Sequence, residues 1–309
     1  MATLLVTGGA GFIGSHLVER LAREGHEVRA LDNLATGKRE NLTGIAGRVT
    51  LIEGDIRDAA AVKEAVRGVE VVFHEAALGS VPRSLNDPAT TNAVNVTGTL
   101  NVLIAAKDAG VRRVVYASSS SVYGDSKEFP QREDHPARPI SPYAVSKLAG
   151  ENYAVAFAKS LGLETVALRY FNVFGPRQDP TSIYAAVIPL FIAALREGRP
   201  LTIQGDGEQS RDFTYVANVV AANLLAARAA GVSGEVFNVA CGGSISVSAL
   251  ARKLCEIMGK EFKAQYAPAR PGDLHRSCAD ISKARRLLGY TPRVDFDEGL
   301  RRTVNALAE

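Results

Sequence analysis

The chain predicts an α/β protein: a Rossmann-type, doubly wound parallel sheet followed by a smaller C-terminal lobe. Three observations lead there. Short apolar runs alternate with amphipathic runs through the first 170 residues. A glycine-rich turn joins the first apolar run to the first amphipathic one, and an acid closes the second apolar run. Apolar strands alternating with amphipathic helices imply right-handed βαβ units, with helices on both faces of a parallel sheet.

Taken in order, the strand candidates are 3–7, 27–31, 49–53, 70–74, 112–117 and 163–169, with helical stretches near 12–24, 59–67, 88–109 and 142–161. The first turn is Thr7-Gly8-Gly9-Ala10-Gly11-Phe12-Ile13-Gly14, set between Leu4-Leu5-Val6 and the helical pattern Ile13, Leu17, Val18, Leu21. Glycines let backbone approach a pyrophosphate, and the first helical turn offers free N–H groups and a positive dipole end. Asp32 closes the next run, where a carboxylate holds a ribose hydroxyl pair and repels a 2′-phosphate. The spacing therefore predicts a dinucleotide, with NAD favoured over NADP. After Gly175-Pro176 the pattern loosens. Helices are expected near 184–197, 215–230, 246–258 and 296–307, and short strands near 201–204, 235–239 and 263–267. The expected division is 1–172 for the dinucleotide-binding domain, with a return of chain near 211–240, and 173–309 for a lobe that closes over the cofactor.

Bulk properties narrow the class. With 309 residues the chain can bury a large core, and 46% hydrophobic with 22% charged residues is ordinary for a soluble protein. A net charge of +3 without a basic block argues against a nucleic-acid or anionic-membrane surface. Cys241, Cys255 and Cys278 lack metal-type spacing and read as buried thiols. The five histidines likewise form no pair with ligand spacing, so no metal is expected. No run approaches membrane-spanning length, and the first strand begins at once, with no charged and apolar segments of a signal peptide ahead of it. A reducing cytoplasm is the expected compartment.

Two segments match Tyr-x-x-x-Lys: Tyr123 with Lys127, and Tyr143 with Lys147. Tyr123 runs into Gly124-Asp125 and Pro130, which places its lysine on a loop. Ser141-Pro142 ahead of Tyr143 reads as a helix start, Ser as N-cap and Pro in the first helical position. Four residues apart on a helix, Tyr143 and Lys147 share a face. A tyrosine acting as base near neutral pH must lose roughly 3 pKa units, or about 4 kcal/mol, which a lysine ammonium and a cationic nicotinamide can supply together. The serines 118–121 follow the strand around Val114-Val115-Tyr116, at the carboxyl edge where open parallel sheets bind ligands.

At this point the chain resembles the extended short-chain dehydrogenase/reductases, and among them the UDP-sugar 4-epimerases. The resemblance runs nearly end to end: the glycine loop, Asp55-Ile56, His74-Glu75-Ala76-Ala77, Asn95-Val96-Thr97-Gly98-Thr99, Val122-Tyr123-Gly124, Tyr143 to Lys147, the stretch 169–176, Arg211 to Val216, and Arg270-Pro271-Gly272-Asp273 with Asp280 to Ala284. It implies that Gly8, Gly11, Phe12 and Ile13 hold the pyrophosphate, Asp32 and Asn33 the adenosine ribose, and Asp55 and Ile56 the adenine. Ala76, Ala77 and Asn95 would line the cofactor, with Tyr143 and Lys147 at the nicotinamide ribose. Ser119, Tyr143 and Lys147 would be catalytic. Asn172 would touch the sugar nucleotide, and Arg211 and Arg270 would clamp its diphosphate, a task suited to guanidinium forks.

The implied reaction is NAD-dependent C4 epimerisation of a UDP-hexose through a transient 4-keto sugar. Sugar-nucleotide dehydratases of this group carry Asp-Glu after the catalytic Thr, and decarboxylases keep a glutamate there; this chain has Ser120-Ser121. The loop Leu78 to Ser84, with Ser80, resembles that of epimerases accepting N-acetylated sugars, and the gatekeeping position falls at Ser277, where some members have tyrosine. UDP-GlcNAc/UDP-GalNAc are thus expected beside UDP-glucose/UDP-galactose. Arg83 and Arg276 leave a UDP-uronic acid open as an alternative substrate. An NAD(P)H-dependent 4-keto-sugar-nucleotide reductase is the other rival, disfavoured for NADPH by Asp32. The helical stretches 88–109 and 142–161 are compatible with the family's homodimer bundle.

Overall fold

The computed structural model describes residues 1–45, 48–179, 186–269 and 276–308. Six strands are numbered in chain order: β1 Thr3–Thr7, β2 Glu27–Asp32, β3 Val49–Glu53, β4 Val71–His74, β5 Arg113–Ser119 and β6 Glu164–Tyr170. With Glu235–Val239 they form one seven-stranded sheet, ordered 235–239, β6, β5, β4, β1, β2, β3, and every pairing is parallel. The winding runs outward from β1 to β3, then returns to β4 on the other side of β1. That reversal leaves a crevice at the carboxyl ends of β1 and β4, the place where doubly wound sheets bind ligands.

The helices are α1 Phe12–Arg23, α2 Ala59–Ala65, α3 Val81–Asn86, α4 Pro88–Asn92, α5 Thr99–Asp108 and α6 Pro142–Ser160. In α1, Leu17, Val18 and Leu21 bury one face against the sheet while Arg20 and Arg23 sit in the last turn, favourable for the helix dipole. The first-turn N–H groups of α1 receive no side-chain cap, because Gly11 occupies the N-cap position. At α6, the Ser141 Oγ accepts from the Ala144 N–H at 3.2 Å and Pro142 opens the helix.

Several elements differ from the sequence expectation. The stretch 88–109 is not one α-helix: residues Ala93–Gly98 widen into a π-helical turn between α4 and α5. Thr99 Oγ1 donates to the Asn95 carbonyl at 2.7 Å there and also meets His74 Nε2 at 2.9 Å, so a buried polar side chain enters the helical ladder. Helix α3, expected as loop, forms because Ser80 caps it, its Oγ accepting from Arg83 N–H at 3.2 Å. Strand β5 extends through Ser119, two residues past expectation, since Ser118 and Ser119 still pair with β6 at Arg169 and Tyr170.

The C-terminal lobe has its own core around Phe174, Phe191, Leu201, Phe213, Leu250 and Leu300. Three small two-stranded pairings shape it: Val173–Phe174 with Thr214–Tyr215, Ser210–Arg211 with Ile245–Ser246, and Leu201–Gln204 with Ala264–Ala267. Among the described residues no helix is long and apolar enough to cross a membrane.

Candidate active site

The crevice opens into a cleft of about 490 Å³ lined by Gly8, Gly11, Phe12, Ile13, Asp32, Asn33, Asp55, Ile56, Ala76 and Ala77, among others. All ten are residues expected at the cofactor. Gly8 has φ +68°, and a Cβ there would stand 2.8 Å from the Ala76 backbone; one on Gly14 would stand 2.1 Å from the Gly8 carbonyl oxygen. The turn is thus too tight for any other residue at either point. Asp32 is buried, its Oδ2 accepting from the Ala10 N–H at 3.0 Å and its Oδ1 from the Leu34 N–H at 2.8 Å. The carboxylate is fixed in place at the cleft wall. Asn33 donates to Asp55 at 2.8 Å, and the Arg57 guanidinium holds the Asp55 carboxyl well below the usual carboxylate range. An uncapped helix start, glycines where backbone must come close, and a fixed acid at the end of β2 fit a dinucleotide diphosphate with an unphosphorylated ribose.

A second cavity of about 490 Å³ adjoins the first, lined by the serines 118–121, Tyr143, Lys147, Tyr170, Asn172, Arg211 and Ser277 among others. The two share Ile13, Glu75, Ala77, Gly79, Tyr143 and Val173 as a common wall. Burial raises the Tyr143 phenol, and the nearby Ser119 side chain partly offsets that rise. Lys147 is buried and its Nζ donates to the Ala117 carbonyl at 2.7 Å. Burial brings Lys147 down to about 8, opposed by the nearby charge of Glu75. Ser119, Tyr143 and Lys147 therefore converge, from β5 and α6, on one cavity.

Two residues far apart in the chain meet at its other side: Asn172 Nδ2 reaches Ser277 Oγ at 3.3 Å across 105 residues of sequence. Asn172 takes a left-handed backbone with φ +34° and also donates to the Asp212 carbonyl at 3.1 Å. Arg211 lies between this cavity and a third of about 240 Å³, whose walls include Phe174, Phe191, Phe213, Gln204 and Gln209. Ser80, expected at the sugar, instead caps α3 and lines the cofactor cleft, leaving Gly79, Val81 and Pro82 on the sugar side. Asn95 is buried and grips the loop after β4, accepting from Leu78 N–H at 2.8 Å while donating to Leu78 O at 3.2 Å and to Ser146 at 3.0 Å. Its side chain shapes the cleft through that loop. Arg270 lies outside the described residues.

Sequence reasoning passes over Glu75 and Tyr170 as site residues. Tyr170 donates to Glu75 Oε1 at 2.6 Å and accepts from Asn223 at 2.7 Å. Burial raises Glu75 to about 7, against the pull of Tyr170 and of Lys147. The signal available in the sequence is a carboxylate directly after a fully buried strand end. His74 beside it is buried between Thr7 Oγ1 at 2.7 Å and Thr99 Oγ1 at 2.9 Å, and burial takes it down to about 3, leaving it neutral.

Sheet order, crevice and the Ser/Tyr/Lys set define a dinucleotide-dependent enzyme of the short-chain dehydrogenase/reductase class. Comparison with known proteins narrows it. Residues 4–240 match the NAD dependent epimerase/dehydratase family, and the chain belongs to that family. It is 42% identical to a UDP-glucose 4-epimerase of Mycolicibacterium smegmatis, covering 97% of this chain and 96% of that one. The UDP-N-acetylglucosamine 4-epimerase of Methanobrevibacter ruminantium M1, solved in complex with UDP-N-acetylmuramic acid, superposes with a TM-score of 0.95 at 42% identity, covering 99% of this chain and 98% of that one. The UDP-glucose 4-epimerase of Thermus thermophilus, solved with NAD, gives a TM-score of 0.91 at 41% identity over 99% of each chain.

Proposed function

We propose that this protein interconverts the C4 epimers of a UDP-hexose, through a 4-keto sugar, with NAD as a bound cofactor that is not consumed. The observation that carries this is the convergence of Tyr143, Ser119 and Lys147 on a cavity that shares a wall with the NAD cleft. The epimerase names of the relatives support it.

Gly8, Gly11, Phe12 and Ile13 would hold the diphosphate of NAD, Asp32 and Asn33 its adenosine ribose, and Asp55 and Ile56 its adenine. NAD held there would supply the acceptor for a hydride from the sugar C4 and, once reduced, the donor that restores it. Tyr143 takes the proton of the 4-hydroxyl and returns it to the product alcohol, while Ser119 holds the sugar oxygen. The Lys147 ammonium supplies the charge that favours the phenolate. Arg211 would grip the substrate diphosphate, with the uracil end in the third cavity, whose apolar and amide walls suit a flat polar base. Asn172 and Ser277 lie on the sugar side. Ser120 and Ser121 follow Ser119 where a dehydratase would carry acids, and Glu75, the carboxylate in the cavity wall, is held by Tyr170.

Ser277 is 3% exposed and small, which leaves depth for an N-acetyl group. The expected substrates are UDP-GlcNAc/UDP-GalNAc together with UDP-glucose/UDP-galactose. Proton NMR of the purified protein incubated with each sugar, without added NAD, tests the proposal. Epimers from both are expected, and Ser277→Tyr should lower the turnover of the acetylated sugar by about tenfold or more relative to the plain one. No epimer from any hexose, or a 6-deoxy methyl signal, overturns the epimerase reading.

Ile104 on α5 and Val145 and Tyr153 on α6 are apolar or aromatic side chains left exposed on two long helices. A second copy covering them would make the homodimer, and a monomeric mass in solution removes that part of the proposal. Three unpaired thiols, Cys241, Cys255 and Cys278, suit a reducing cytoplasm.

A further inference from the structure

Among the described residues, Glu75 is the one carboxylate on the wall that the cofactor cleft and the sugar cavity share; the other shared residues are Ile13, Ala77, Gly79, Tyr143 and Val173. Hydride passes between atoms in contact, so the reacting end of the dinucleotide has to lie along that wall. The epimerase proposal does not use this group. Its surroundings are nonetheless built for a charge. Tyr170, from β6, donates to it at 2.6 Å and is itself fixed by Asn223 at 2.7 Å. Lys147, from α6, is close enough to lower the carboxyl while the carboxyl raises Lys147. On its own strand His74 is neutral, locked between two threonine hydroxyls. From β1 it meets backbone, the Glu75 N–H donating to the Thr7 carbonyl at 3.2 Å.

We propose that Glu75 is an electrostatic positioning residue of the reaction centre: its carboxylate, held by Tyr170 beside Lys147, favours the cationic oxidised nicotinamide over the neutral reduced one. This rests on the NAD-dependent reading of the site. The consequence is a bias of the redox pair. An anion at the junction stabilises NAD+ relative to NADH, so the keto sugar is drawn to take its hydride back rather than leave the enzyme reduced. The same carboxylate keeps Lys147 protonated, and so keeps the charge that Tyr143 relies on. Burial opposes an ionised glutamate here and places its titration near 7, so the bias weakens as the medium turns acid.

The test is a redox preference, read without turnover. The purified protein is stripped of bound nucleotide and equilibrated with mixtures of NAD+ and NADH, and bound NADH is read by its fluorescence from about pH 6 to pH 8. Glu75→Gln keeps the shape and a hydrogen-bond acceptor for Tyr170 but removes the charge. The wild type should favour NAD+ progressively as pH rises through about 7, and Glu75→Gln should shift preference toward NADH by about tenfold at pH 8, with a flattened response below pH 7.5. Tyr170→Phe keeps the carboxylate but removes a hydrogen bond that lowers its pKa, so the bias should set in at higher pH than in the wild type. An unmoved pH response overturns the holding role of Tyr170. Equal preference in wild type and Glu75→Gln overturns the proposal. Should Glu75→Gln not fold, a wild-type preference independent of pH between 6 and 7.5 is enough to overturn it. A protein that carries no nucleotide as purified and takes up neither overturns instead the cofactor reading beneath, while the NMR of sugar turnover tests the epimerase reading separately.

Discussion

Tyr123-x-x-x-Lys127 and Tyr143-x-x-x-Lys147 have the same spacing and meet opposite ends in the fold. Tyr143 and Lys147 sit on α6, which starts cleanly at Ser141 and Pro142, so both reach one cavity. Tyr123 closes a short 3-10 turn, Ser120–Tyr123, and its chain then turns through Gly124 into the loop that carries Lys127. The Tyr123 hydroxyl is engaged inside the protein, donating to Asn238 Oδ1 at 2.7 Å, and its ring lies under the Arg169 guanidinium. Arg169 in turn pairs with the buried Glu151, which accepts from Ser118 at 2.7 Å. Burial pushes the Tyr123 phenol up to about 12, against the pull of Arg169. The difference shows that spacing yields chemistry only on a helix that begins before the tyrosine and continues past the lysine. The second pair lines a cavity; the first tyrosine packs the buried ion pair that backs the serine strand.

The largest effect expected from this contrast is at the tyrosines. Tyr143→Phe should reduce kcat by about 10²–10⁴-fold, the usual contribution of a positioned base, without lowering the melting temperature. Tyr123→Phe should leave kcat within about twofold yet destabilise the protein by about 1–3 kcal/mol, because Asn238 Oδ1 loses its buried donor. Steady-state kinetics paired with denaturant unfolding of the two variants reads both; an inactive Tyr123→Phe beside a fully active Tyr143→Phe reverses the two roles.

The lysines should separate next. Lys147→Met should cost about 10²-fold in kcat, whereas Lys127→Met should change nothing measurable. Lys147 carries a depressed pKa of about 8, set first by burial and held up by Glu75, so its ammonium is present below that pH and lost as pH rises through it. The kcat profile should therefore fall on the alkaline side of about pH 8. A Lys147→Arg variant that retains activity should lose this limb, since guanidinium stays charged. A flat alkaline profile in the wild type removes Lys147 as the source of the charge.

The smallest effect is at the helix start. Ser141→Ala removes the cap of α6 and should destabilise by about 1 kcal/mol. The change should appear in the unfolding midpoint with kcat lowered only a few fold. A larger loss of kcat than Lys147→Met would mean that the cap, rather than the α6 side chains themselves, limits the chemistry.

Much of the site is legible in the sequence because it is local. The glycine turn, Asp32 and the Tyr143–Lys147 pair each rest on short-range spacing within one strand, turn or helix, and the structure puts all of them on the two adjoining cavities. What differs does so for long-range reasons. The stretch 88–109 reads as one helix, yet Asn95 and Thr99 are drawn to Leu78, Ser146 and His74, and a π turn interrupts it. Ser80 reads from its loop as a sugar contact, but it caps a helix whose six residues give too little periodicity to show. Glu75 reads as one polar residue at a strand end; its raised pKa comes from burial, and its fixed orientation from Tyr170, 95 residues on.

By itself the sequence determined the sheet, the glycine-lined cleft and which Tyr-x-x-x-Lys pair lies on a helix, since backbone geometry and helical periodicity act over a few residues. Only the tertiary structure decided that Asn172 meets Ser277, that Arg211 bridges two cavities, and that Glu75 lines both the glycine-lined cleft and the cavity beside it. Those features depend on which distant segments exclude water from one another, and burial, not spacing, sets the charge a buried side chain carries.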